Sequence, residues 1–96
     1  MAVAYFYILA SQRNGTLYCG STADLSQRIF EHKSLSRPGF TSRYGVTQLV
    51  YYETYERLIE ARFREYQVKK WRRAWKLALI EAMNPPWDDL YDSLAS

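Results

Sequence analysis

Residues 3–10 carry aromatic and aliphatic side chains almost without interruption, and residues 16–20 resume the pattern after Arg13-Asn14-Gly15. The two runs predict a β-hairpin, because Asn-Gly supplies the positive φ that a tight connection needs. Whether the pairing centres on Gln12-Arg13 or on Asn14-Gly15, Tyr18 lies opposite an odd-numbered residue, Tyr7 or Ser11. Side chains alternate across a strand, so Tyr18 shares a sheet face with Tyr7 in either register, while Phe6, Ile8, Leu17 and Cys19 share the other. Asp24 followed by Gln27 has the spacing of a helix start, with Asp24 capping free amides and Gln27 reaching back. A short helix over residues 25–33 follows; Leu25 and Ile29 form its buried stripe, and Arg28 and His32 stand one turn apart beside it. Residues 34–43 contain Arg37-Pro38-Gly39 and read as an exposed loop. Residues 46–52, rich in β-branched and aromatic side chains, predict a third strand. Helices over 56–70 and 73–83 come next, separated by a bend near Trp71. Asn84-Pro85-Pro86 stops the helical run, and Asp88 is placed to cap a last short turn ending at Leu94.

The second of these helices from the N-terminus has an informative seam. Leu58, Ala61 and Val68 lie to one side of Glu65, and Arg62 and Lys69 to the other. The bland explanation of Glu65 is an ion pair with Arg62 or Lys69, three and four residues away, which contributes only tenths of a kcal/mol. A half-buried carboxylate among cations is also an anchor for a hard divalent ion that bridges to a phosphate.

Composition narrows the class. The 96 residues are 48% hydrophobic, 24% charged and 17% aromatic, with nine tyrosines; this is the composition of one globular domain spanning residues 1–96. No apolar stretch is long enough to span a bilayer, and the first residues lack the pattern of a secretory signal, so no membrane partner is expected and the cytoplasm is the default location. The single cysteine, Cys19, excludes an intramolecular disulfide and a cysteine-based zinc cluster, and with one histidine no structural zinc is expected. Cys19 reads as a small core residue.

The net charge of +3 is unevenly spread. Arg62, Arg64, Lys69, Lys70, Arg72, Arg73 and Lys76 stand against one acid, Glu65, whereas from Glu81 onward there are four acids and no base. Such a run is often only a solvated helix face. Interleaved Tyr66, Trp71 and Trp75 point instead to a nucleic-acid surface, since cations neutralise phosphates while rings stack on bases. Single-residue explanations exist elsewhere too: Tyr5, Tyr51, Tyr52 and Tyr55 suit packing with hydroxyls at the rim, Arg28 can pair with Glu31 or Asp24, and a lone histidine is commonly a hydrogen-bonded bystander.

The order Tyr5-Phe6-Tyr7, then Tyr18-Cys19-Gly20, then Arg28, His32, a helical Glu65 and later Asn84 resembles the GIY-YIG nuclease family. Pro38-Gly39-Phe40-Thr41, Arg43-Tyr44-Gly45, Lys69-Lys70-Trp71-Arg72-Arg73 and Met83-Asn84-Pro85 extend the likeness to its short, single-domain bacterial branch, similar to the N-terminal catalytic domain of the excinuclease C subunit. Tyr5 replaces the first glycine of the family name and Cys19 the isoleucine of the second tripeptide. The phenols of Tyr7 and Tyr18 remain, as does Gly20, where a missing side chain permits close approach. The resemblance implies a three-stranded, mainly antiparallel sheet flanked by helices, an α+β fold. It also implies a DNA endonuclease in which Glu65 ligates one Mg²⁺ or Mn²⁺. Tyr7 activates water, Tyr18 positions it, His32 assists proton transfer, Arg28 holds the phosphate, and Asn84 completes the set. Arg43, Lys69, Lys70, Arg72 and Arg73 would contact nucleic acid outside the reacting centre, with target choice left to the loop, the basic helix or a partner protein. The alternatives are a nucleic-acid-binding module with little turnover and, resting on the acidic Asp88 to Asp92 stretch, a partner-binding domain. Oligomeric state is not legible.

Overall fold

The computed structural model describes residues 3–34, 39 and 43–94. Two antiparallel strands, β1 (Ala4–Ala10) and β2 (Leu17–Thr22), form the hairpin. Their register sets Tyr7 opposite Gly20 and Leu9 opposite Tyr18. The connection therefore centres on Arg13-Asn14, between the two centres read from the sequence. Ser11 N–H donates to the Thr16 carbonyl at 3.0 Å and Gly15 N–H to the Gln12 carbonyl at 2.9 Å. Asn14, not Gly15, takes the positive φ of 57°, which its short polar side chain tolerates. The parity argument survives: Tyr18 does lie opposite an odd residue and shares the face of Tyr7.

Strand β3 (Gln48–Tyr55) pairs antiparallel with the other side of β1, giving the order β2-β1-β3, and a bulge between Ile8 and Leu9 shifts its register. It runs three residues beyond the expected end at Tyr52. Glu53 is a poor strand former, but here it accepts hydrogen bonds from the hydroxyls of Tyr51 and Tyr55 on the same face, and these contacts offset its low propensity.

Because β1 is central and covered on both faces, it is buried almost throughout rather than alternating. One face carries Tyr7, Leu9 and Leu49 against Leu25 and Ile29 of α1 (Leu25–Ser34), with α4 (Tyr91–Leu94) packed beside them. The other carries Phe6, Ile8, Ala10, Cys19 and Val50 against Val68 of α2 (Leu58–Lys69) and Ile80 of α3 (Arg73–Met83). Full burial of a side chain such as Ile29 or Ile80 stabilises by about 1.5–3 kcal/mol. This is the α+β arrangement expected, with all strands antiparallel.

Helix α1 starts as read, with the Asp24 carboxylate accepting the Gln27 N–H at 3.2 Å. The Gln27 side chain, however, turns to Glu31 instead of reaching back. The last turn is capped by Asp89, not Asp88: its carboxylate accepts the N–H groups of Tyr91 and Leu49, both at 3.1 Å, and pairs with Lys33. That carboxylate ties α1, β3 and α4 together. The expected exposed loop falls largely on residues 35–38 and 40–42, outside the described ones.

Candidate active site

Tyr7 stands on the central strand and is fully buried, with its phenol lying across Gly20 of β2. A Cβ placed on Gly20 would come 2.5 Å from the Tyr7 hydroxyl oxygen and 2.6 Å from the ring carbon that carries it. The glycine is thus required by the approach of Tyr7 itself, whereas the sequence suggested room for backbone or phosphate. Helix α1 crosses this face and presents Arg28 and His32 to the same hydroxyl. Tyr7 Oη lies 3.1 Å from His32 Nε2, and Arg28 Nε donates to Tyr7 Oη at 3.5 Å. With the His32 proton on Nδ1, the phenol donates its own proton to Nε2, which makes His32 its acceptor.

The rings of Tyr7, Tyr18 and His32 form a triangle with centroids 6.4, 5.9 and 5.4 Å apart. Arg28 also interacts with Tyr18 and forms a 3.5 Å ion pair with Glu31. Burial pushes the Tyr7 phenol up to about 12; the Arg28 hydrogen bond pulls the other way, while the charges of Tyr18 and Glu65 push it further up. In the free protein Tyr7 is therefore a neutral donor.

Glu65 arrives from the opposite side of the sheet. Ser21 stands opposite Phe6 and so points to the face covered by α2; its hydroxyl donates to Glu65 Oε1 at 2.5 Å. Lys69 Nζ meets Oε2, also at 2.5 Å. Since β2 is an edge strand of the described sheet, the two phenols, the imidazole and the guanidinium lie on one face beside it and the carboxylate on the other.

Among the described residues no group of three or more His, Cys, Asp or Glu side chains is gathered for a metal. A single carboxylate does fit Mg²⁺ or Mn²⁺, which keep several waters and take further oxygens from substrate phosphate. The Lys69 ammonium now compensates the charge on Glu65 and would have to yield to such an ion.

The remaining sequence candidates are placed differently. Asn84 is not with this cluster. It is buried at the end of α3, where its side-chain amide donates to the carbonyls of Val50 and Asp88 and its oxygen accepts the Asp88 N–H. All its polar capacity goes to fixing the chain turn against β3, at the far edge of the sheet. Arg73 donates to the carbonyls of Asn14 and Gly15, locking α3 to the hairpin. Lys70 lies 3.9 Å over the Tyr66 ring, Arg72 over Trp75, and Arg43 over Tyr44. Of the five basic candidates, Lys69 is the one bonded to a residue of the cluster. Cys19 is buried on the far face and its thiol is pushed up by desolvation, the signature of an inert core cysteine.

Two functional features escaped the sequence. Ser21 anchors Glu65, and the only signal was its position one residue past Gly20, on the opposite parity to Tyr18. The second is Arg64, which grips Glu53 through Nε and a terminal nitrogen, both at 3.0 Å, and lies 5.0 Å from the centre of the Trp71 ring. Adjacent helix positions point about 100° apart, so Arg64 reaches β3 and Glu65 reaches β2, fixing α2 at both edges of the sheet.

Comparison with known proteins gives the family. The GIY-YIG catalytic domain model matches residues 3–78. A UPF0213 protein of Clostridium perfringens is 40% identical over 78 residues, covering 81% of this chain and 83% of that one. Another, from Bacillus pumilus, is 37% identical over 79 residues, with 82% and 80% covered. The solution NMR structure of a UPF0213 protein from Bacillus halodurans is similar with a TM-score of 0.55 and 31% identity, covering 90% of each chain. With the family model matching most of its length and relatives at up to 40% identity, the chain belongs to the GIY-YIG catalytic domain family.

Proposed function

We propose that the protein is a metal-dependent endonuclease that hydrolyses DNA phosphodiester bonds, acting on single-stranded or structured DNA in repair, recombination or DNA uptake. The observation that carries this reading is the hydrogen-bonded set of Tyr7, Arg28 and His32 on one side of β2, with Glu65 held by Ser21 of the same strand on the other. Glu65 would hold one Mg²⁺ or Mn²⁺, which when bound polarises the scissile phosphate and stabilises the leaving oxygen. Tyr7 passes its proton to His32 and draws one from water, so the imidazole relieves a phenol that burial otherwise keeps neutral. Tyr18 orders the water beside it. Arg28, about a third exposed, keeps donors free for phosphate and offsets charge building on its oxygens. A cytoplasmic setting and a targeting partner belong to the same proposal; no helix among the described residues is long and apolar enough to cross a membrane.

A binding module without turnover is the second reading, favoured by the Lys69 ammonium on Glu65. Labelled single-stranded, duplex and branched DNA, incubated with Mg²⁺ or Mn²⁺, separates the two. Cleavage by the wild type that falls at least about 100-fold in both Glu65→Ala and Tyr7→Phe supports the nuclease, in line with losses seen for catalytic proton-transfer groups. Salt-sensitive binding without cleavage supports the module, and neither activity sinks both.

A further inference from the structure

Beside the Tyr18 end of the cluster, along the outer edge of β2, runs a groove of about 300 Å³ lined by Leu17, Tyr18, Cys19, Lys69 and Lys76. Lys69 closes α2, and Lys76 lies in the first turn of α3. The bend between the helices folds Lys76 back until its Nζ is 3.5 Å from the Lys69 carbonyl. Both ammonium groups act on the Cys19 thiol at the groove floor, so they project their field into the same space. Lys69 is compensated by Glu65; Lys76 has no carboxylate partner among the described residues. Tyr18 borders the groove, and the strand that carries it has no neighbour on its outer side in the described sheet.

An ammonium without a carboxylate partner among the described residues, a bordering tyrosine and an open strand edge form a surface for a chain of phosphates with bases attached. We propose that this groove is a phosphate subsite for the substrate strand flanking the scissile bond, with Lys76 as its principal charge. It rests on the nuclease reading. The strand enters over Tyr18, and the adjoining phosphate sits between Lys76 and the β2 edge. Lys70, Arg72 and Arg73 do not line the groove.

The test is binding of a fluorescein-labelled single-stranded DNA 12-mer to the full chain in EDTA, titrated at several salt concentrations. Lys76→Met is expected to weaken binding about fivefold at 0.1 M salt and to flatten the slope of log K against log salt by about 0.7, the loss of one phosphate contact on a single strand. Lys76→Glu should weaken it further, and Arg57→Met, at the opposite end of α2, should leave both quantities near wild type. Unchanged affinity in Lys76→Met, an equal loss in Arg57→Met, or no binding by the wild type overturns the subsite. Because no metal is present, the outcome is separate from cleavage. Loss of binding at Lys76 in a protein that never cleaves DNA would retain the groove and discard the nuclease, whereas cleavage with Lys76-independent binding would do the reverse.

Discussion

Gly20 and Tyr7 show how one missing side chain organises a reaction centre. The phenol rests where a Cβ would be, 2.5 Å from its oxygen, so a methyl group there must displace the ring or the strand. We expect Gly20→Ala to cost about 1–3 kcal/mol by overpacking, lowering Tm by roughly 4–24 °C for a domain of this size. The Tyr7–His32 hydrogen bond should be lost with it. Thermal denaturation checks the first effect, and the imidazole proton resonances of His32 check the second. A variant as stable as wild type with an unchanged imidazole would show that the ring does not lie over the glycine. The sequence marked both residues, yet it contained no register to say that they face each other; that came from the turn, where Asn14 rather than Gly15 takes the left-handed conformation.

Helix α2 places its glutamate through contacts that periodicity does not reveal. Ala61 and Val68 face the core as their spacing indicated, but rotation about the helix axis is fixed by Arg64 on Glu53 and Glu65 on Ser21. Both partners lie on strands distant in sequence, so Arg64 read as one more member of a basic run. Burial pushes the Glu53 carboxyl up, but the Arg64 fork and the Tyr51 and Tyr55 hydroxyls outweigh it and hold the group below its ordinary value. A carboxylate depressed in the folded state stabilises above its unfolded pKa, and that stability is lost as pH falls through the folded one. Glu53→Gln should therefore lower stability by about 1.5–3 kcal/mol near neutrality, the worth of a charged hydrogen-bonded group. The gap from wild type should narrow as pH falls below the ordinary carboxylate range. Urea denaturation at pH 7 and pH 3 measures it; an equal gap at both would mean that Glu53 acts through packing alone. Asn84 illustrates the complementary limit: its position in the family order was readable, but its burial and three hydrogen bonds tie it to the chain turn instead of the cluster.

For the whole molecule, tyrosines on both sheet faces couple the fold to alkaline pH. Tyr7 and Tyr55 are raised to about 12 and Tyr51 higher still, in each case first by burial, and in Tyr51 and Tyr55 also by hydrogen bonds to Glu53. The unfolded chain ionises these phenols near 10 while the folded chain keeps their protons, so stability falls as pH rises from about 10 toward 12. Ultraviolet titration of the folded protein should show three of the nine tyrosines ionising late and together with unfolding. Nine phenolates appearing in one step near pH 10, with the fold intact, would contradict this. The overall architecture was legible because residues 3–10, 16–20 and 46–52 carry strand-forming side chains and the helices keep their periods. The placement of Glu65 across β2 from Tyr7 was not, since which strand forms the edge is a property of pairing order. That edge has another consequence. An unpaired strand invites a second chain to add to the sheet, and proteins commonly defend such borders with lysine. Lys69 and Lys76 line this one. The ammonium groups that face the groove thus also keep neighbouring molecules from zipping together along β2, and removing both charges should make the protein prone to edge-to-edge aggregation.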